Sequence, residues 1–177
     1  LAGHIGLITQ TTTTAAALLD YAEKYRFGFS SVVSVGAETD VALDEVIDCL
    51  VEDEDTQVIA VDVLALRRPR AFFSAVRAAS RIKPVLILYG PDGEGISALT
   101  AARLNAPVAE PDNFRAAVKK AGAVATDSLS DFCGALRLLA DGRLPRGPRT
   151  AVLGNGVGAA AAGAGALTQA GLALAHL

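Results

Sequence analysis

The stretch His4-Ile5-Gly6-Leu7-Ile8-Thr9-Gln10-Thr11-Thr12-Thr13-Thr14-Ala15-Ala16-Ala17-Leu18-Leu19-Asp20-Tyr21-Ala22-Glu23-Lys24-Tyr25 changes its hydrophobic period halfway along. Residues 4–9 are apolar without alternation, the pattern of a strand covered on both faces. Residues 13–25 place apolar side chains at helical spacing, which predicts a helix over Thr13–Tyr25. Gln10 and a run of threonines lie between, and Thr is a good helix N-cap. A strand that runs straight into a helix is half of a βαβ unit, and such units build parallel sheets.

The same alternation continues along the chain. Strands are predicted at Ser31–Val35, Gln57–Val63, Pro84–Tyr89 and Ala123–Ala125. Helices are predicted at Val41–Glu52, Pro69–Ile82, Asn113–Ala121 and Leu129–Ala140. Asp40, Asp112 and Asp127-Ser128 are read as N-caps, Pro69 as a first helical residue, and Gly122 as a helix stop. The fold class is therefore α/β, a doubly wound parallel sheet. Leu144-Pro145-Arg146-Gly147-Pro148-Arg149 reads as a linker. A strand at Thr150–Gly154 and a small-residue helix at Ala159–Leu172 follow it. The expected organisation is a domain at 1–143, a linker at 144–149, and at 150–177 the start of a second domain or the last βα unit of the first.

Composition narrows the function classes. Of the 177 residues, 51% are hydrophobic and 20% charged, with a net charge of -3. Such a chain can build a core and is not a disordered polymer. Without a basic stripe, nucleic acid is not expected as the main partner. No apolar run reaches the ~18 residues of a membrane span, and no secretory leader is legible at residues 1–4. Cys49 and Cys133 lie far apart in apolar helical patterns and are read as buried, reduced thiols of a cytoplasmic protein. Methionine is absent even from position 1, so the chain is expected to be part of a longer protein.

Chemistry in a parallel sheet gathers at the C-terminal ends of the strands. Four segments fall there. Thr9-Gln10-Thr11-Thr12-Thr13 opens the first helix, where free backbone N–H groups and the helix dipole suit a phosphate or carboxylate; simple N-capping is the plainer reading. Gly36-Ala37-Glu38-Thr39-Asp40 follows the second strand. Its glycine permits a tight turn, and its acids either orient a base or cation or form a solvated loop and cap. Tyr89-Gly90-Pro91-Asp92-Gly93-Glu94-Gly95 is glycine-rich but lacks the lysine of a P-loop. Gly154-Asn155-Gly156-Val157-Gly158 is a second glycine-rich strand-to-helix turn and a further anion candidate. His4 and His176 lie away from this edge and are set aside. No metal-ligand spacing is legible.

Taken together, several runs resemble the succinyl-CoA-ligase-like, flavodoxin-type domain of NDP-forming acyl-CoA synthetases. They are Gly3-His4-Ile5-Gly6-Leu7-Ile8-Thr9-Gln10-Thr11, Arg26-Phe27-Gly28-Phe29-Ser30, Ser34-Val35-Gly36 with Asp40-Val41, and Ala78-Ala79-Ser80-Arg81-Ile82-Lys83-Pro84-Val85. Phe114-Arg115-Ala116-Ala117-Val118-Lys119-Lys120-Ala121-Gly122, Asp127-Ser128-Leu129-Ser130-Asp131-Phe132 and Leu144-Pro145-Arg146-Gly147 continue the match. The resemblance implies a flavodoxin-like sheet, and a second such domain after the linker. It also implies CoA or acyl-CoA and nucleotide bound mainly outside this chain, and other domains of the same protein, or further copies in a homo-oligomer, as partners.

Active members of that family pass a phosphoryl group through a histidine. Counted back from Gly122, the matching position here is about Arg103, in Ala102-Arg103-Leu104-Asn105, and no histidine lies between His4 and His176. The family's Ser-Gln-Ser-Gly turn is Thr9-Gln10-Thr11-Thr12 here. Its lysine- and arginine-bearing run after the fourth strand is Tyr89-Gly90-Pro91-Asp92, without either cation. Arg remains protonated and cannot accept the phosphoryl group. The resemblance then implies a non-catalytic regulatory or assembly domain, foremost of a GNAT-fused protein lysine acetyltransferase using acetyl-CoA. Part of an NDP-forming acyl-CoA synthetase is the alternative, and a pure assembly domain a third.

Overall fold

The computed structural model describes residues 2–90, 94–140 and 147–175. The chain divides into two compact units, Leu1–Arg143 and Leu144–Leu177.

The first unit alternates strand and helix: β1 (Ala2–Thr9), α1 (Thr12–Tyr25), β2 (Phe29–Ser34), α2 (Leu43–Glu52), β3 (Val58–Val63), α3 (Pro69–Ala79), β4 (Val85–Tyr89), α4 (Glu94–Leu104), α5 (Pro111–Ala121), β5 (Val124–Thr126) and α6 (Leu129–Ala140). The five strands form one parallel sheet in the order β2-β1-β3-β4-β5. That order is flavodoxin-like, with its topological switch point between β1 and β3.

Side chains alternate between two cores. Ile59, Val61 and Val63 of β3 pack with Leu43, Ile47, Val76, Phe114 and Val118 of α2, α3 and α5. Val58 and Ala60 pack on the other face with Leu18 of α1 and Phe132 and Leu136 of α6. Both faces are covered, which is why the strands read as continuous apolar runs rather than alternating ones.

Helix ends show where local sequence reading slips. α2 begins after Ala42, not after Asp40. The Ala42 N–H donates to Glu45 Oε2 at 2.8 Å, so Glu45 does the capping. α5 begins at Pro111 and is capped by Glu110, whose carboxylate accepts from Asn113 N at 2.9 Å; Asp112 pairs instead with Arg115. Proline at the first helical position loses only an N–H that had no partner. Ser128 does cap α6, accepting from Asp131 N at 3.0 Å. Gly122 closes α5 with φ 91°, a left-handed conformation that glycine adopts without strain. α3 ends at Ala79, three residues before the expected Ile82. α4, which contains Arg103, begins where the glycine-rich sequence reads as loop. Cys133 is buried as expected but Cys49 is exposed, on the solvent side of α2.

The second unit holds β6 (Arg149–Thr150), α7 (Val157–Gln169) and β7 (Ala173–Leu174), with the two strands parallel. Ala151–Gly154 lie outside any strand, so the predicted Thr150–Gly154 strand is reduced to its first residue. No residue of α7 is buried, and Leu153 and Val157 are each 88% exposed.

Phe114 is 2% exposed; it stacks on Tyr89 with centroids 3.8 Å apart and packs against Phe72 and Phe73. Phe114→Ala is expected to destabilise the fold by about 3–5 kcal/mol, mostly as cavity cost. Urea denaturation followed by circular dichroism measures this.

Candidate functional site

Thr9 ends β1, fully buried, and its hydroxyl donates to Thr11 O at 3.0 Å. This bends the chain into α1. Thr11 is the N-cap, accepting from Thr14 N at 3.3 Å, and its hydroxyl meets that of Thr14 at 2.8 Å. Thr12 and Thr13 are exposed, and the first turn of α1 carries no acidic side chain. The first N–H groups of a helix have no intrahelical acceptor, so those of Thr12 and Thr13 open to solvent at the positive end of α1.

Beside this turn sits a buried polar clasp. Gln10, 4% exposed, donates from Nε2 to Glu38 Oε1 and to Ala65 O, both at 2.8 Å. Its Oε1 accepts from Leu64 N at 2.7 Å and Ala65 N at 3.1 Å. Glu38 is buried too; its second oxygen accepts from Leu43 N at the start of α2, at 3.1 Å. Arg67 closes the loop from outside, donating to Ala37 O and Glu38 O. Gly36 and Glu38 both adopt positive φ, 57° and 52°, turning the loop sharply enough to bring the carboxylate inward. Glu38 is therefore neither a solvated loop residue nor a free acid. Asp40 is exposed, in keeping with a solvated loop. Gln10 has its amide atoms engaged in the clasp rather than turned to the start of α1.

Asp62 is the acid that reading the sequence passed over. It stands at the end of β3, paired in register with Thr9, and is 1% exposed. One carboxylate oxygen has no hydrogen-bond partner among the described residues. Burial pushes its pKa up to about 6, partly offset by the Thr14 hydroxyl. The signal was present, a single acid in the apolar run Gln57–Val63.

The structure thus brings Thr9, Thr11, Thr12, Thr13, Gly36 and Asp62 to one sheet edge. Arg103 is exposed on the last turn of α4, whose neighbour Leu104 packs on Ala65. His4 lies at the opposite end of β1, its Nδ1 3.1 Å from Asp55 O. Asn155 and Gly156 belong to the second unit, where Gly156 precedes α7; both are exposed. Pro91–Gly93 of the third loop, and His176, lie outside the described residues. Among the described residues no cluster of histidine, cysteine and acidic side chains is placed to hold a metal, and no helix is long and apolar enough to cross a membrane.

The five-stranded parallel sheet in the flavodoxin-like order β2-β1-β3-β4-β5 defines the class. A solved structure of a dinucleotide-forming acetyl-coenzyme A synthetase from Ca. Korarchaeum cryptofilum, in complex with phosphate and ADP, superposes with a TM-score of 0.89 at 25% identity. It covers 99% of this chain and 38% of its own. Residues 2–139 match the model of the succinyl-CoA ligase like flavodoxin domain, and the chain belongs to that family. It is 24% identical over 175 residues to the alpha subunit of an ADP-forming acetate–CoA ligase II of Pyrococcus furiosus, covering 99% of this chain and 38% of the relative. It is 28% identical over 176 residues to an ADP-forming acetate–CoA ligase II of Archaeoglobus fulgidus, covering 98% of this chain and 26% of the relative. The chain therefore spans well under half the length of these relatives.

A carboxyl pKa raised on folding means that the native state holds the proton more tightly than the unfolded chain. The Asp62 contribution is then most favourable below about pH 4 and is lost as pH rises through about 6. Asp62→Asn is expected to stabilise the protein by about 2 kcal/mol at pH 8 and to change little at pH 4. Paired denaturation curves at the two pH values check the sign.

Proposed function

We propose that this chain is a non-relay domain of an acyl-CoA ligase-type protein, binding a phosphate or carboxylate group at the start of α1. The observation that carries it is the placement of histidine. The family's activity, as the resemblance implies it, runs through a phosphorylated histidine. The first unit has only His4, at the wrong end of the sheet, and the resemblance puts the family's histidine position at about Arg103. Arg103 can pair with an anion but cannot form a phosphoramidate as an imidazole does.

The names of the relatives favour a ligase-type parent over the GNAT-fused acetyltransferase first expected. The acetyltransferase stays as a second reading because the missing histidine suits a domain that senses or assembles rather than catalyses. In either parent, CoA and nucleotide are held mainly by other domains, and the protein works in the cytoplasm, where those compounds are. We further read residues 144–149 as a linker and 150–177 as the start of a second flavodoxin-like domain. Support comes from the parallel β6 and β7 and the apolar α7, none of whose residues is fully buried; such a helix is stable only against a partner layer. Asn155 and Gly156 remain anion candidates at its entrance.

Incubated with radiolabelled acetyl phosphate, the protein is expected to gain no acid-labile phosphate; stoichiometric label overturns the non-relay reading. In the full-length parent, ADP release from ATP that requires both CoA and acetate marks a ligase, and acetylation of a lysine-bearing protein without ADP release marks the acetyltransferase. Thr12→Pro tests the anion site. Thr11 is extended and residue 12 is the first helical position, so proline fits while removing one N–H. Phosphate affinity is expected to fall several-fold with helix content unchanged; unchanged affinity makes the Thr turn a cap only.

A further inference from the structure

In a 2-1-3-4-5 sheet the crevice at the switch point opens between β1 and β3. The final register pair across it is Thr9 with Asp62. Both side chains belong to the face covered by α1 and α6, since Ile5 and Leu7 of β1 and Val58 and Ala60 of β3 share that core. Asp62 has an unpartnered oxygen, and the Thr14 hydroxyl of α1 lies close enough to offset part of the effect of burial on its carboxyl. Thr14 N–H donates to Thr11 Oγ1, and the Thr11 and Thr14 hydroxyls share a hydrogen bond at 2.8 Å. A buried carboxyl group therefore stands beside the first turn of α1, in register with the residue that ends β1.

Nothing nearby neutralises it. Thr9 on β1, Leu88 on β4, Thr14 on α1 and Phe132 and Leu136 on α6 are uncharged. The Cys133 thiol of α6 is kept protonated by burial, while Asp131 of α6 and Asp20 of α1 are exposed to solvent. No charged side chain of the described residues acts on Asp62. The end of a helix is equivalent to only about half a positive charge. It cannot serve a resident carboxylate and a bound dianion together, because like charges this close repel strongly in a buried setting.

We propose that Asp62 is a specificity-determining residue of the α1 anion site: a dianion binds there together with a proton taken up by Asp62, and the ionised carboxylate excludes it. The inference rests on the anion-binding reading of that helix end. It follows that singly charged anions are tolerated at neutral pH, whereas dianions bind well only once the carboxyl is neutral.

Sulfate is the probe, because it stays a dianion between pH 5 and 8. Calorimetric titration of the chain at pH 5.5 and 7.5, in buffers of different ionisation enthalpy, reads affinity and proton uptake together. With Asp62 titrating near 6, sulfate is expected to bind up to about 25-fold more tightly at pH 5.5, with net proton uptake. Asp62→Asn should bind at pH 7.5 as tightly as the unsubstituted chain does at pH 5.5. The same pH profile in both proteins overturns the role of Asp62 while leaving the anion site standing. No sulfate binding by either, or no movement of the Thr12 and Thr13 amide resonances, overturns the site and this inference with it. Should the variant not fold, the Asp62 carboxyl carbon resonance decides: its titration midpoint is expected to rise by at least one pH unit on saturation with sulfate, and an unmoved midpoint overturns the proposal.

Discussion

The clasp made by Gln10 holds the working edge of the sheet in shape. One amide side chain satisfies both backbone N–H groups of Leu64 and Ala65, the Ala65 carbonyl and the Glu38 carboxylate. A buried amide or carboxylate without partners costs roughly 1–3 kcal/mol each, more for the charged group. The loops after β1, β2 and β3 are therefore locked as one unit or not at all. The order of the threonine turn, the inward path of Gly36–Glu38 and the start of α2 at Leu43 all follow from this arrangement. A residue that resembles a ligand contact in the linear chain is thus spent on architecture.

The same edge carries two opposed electrostatic features. The start of α1 is the positive end of a helix dipole, and Asp62, buried beside it, is an acid with an unpartnered oxygen. Elsewhere charge is compensated locally. Arg68 bridges Asp44 and Glu45, and Arg115 bridges Asp112 and Asp127. The Glu45 carboxyl titrates low because it caps the Ala42 N–H and meets Arg68. Asp62 alone among these carries a shift caused mainly by desolvation, the signature of a site where solvation was given up for position.

Membership of the succinyl-CoA ligase like flavodoxin family and the absence of any histidine between His4 and His176 belong to different levels of description. The fold is set by apolar periodicity and survives wide divergence in the loops. A phosphoryl relay through histidine depends on an imidazole, and a guanidinium cannot take its place. Fold and relay can therefore part company within one family.

The sequence by itself determined the alternation of strand and helix and the doubly wound parallel sheet, because a strand buried on both faces must read as a continuous apolar run and its crossover helix must show a 3.6-residue period. It also determined that no histidine stands in the body of the chain. Only the tertiary structure decided which caps were used, that Glu38 is buried, that Gln10 is a clasp, and that Asp62 meets Thr9 and the start of α1. These depend on partners 28 to 55 residues away for Gln10, and on a strand order that places β3 beside β1. Burial and hydrogen-bond pairing are properties of space, and local periodicity carries no information about which distant loop will arrive.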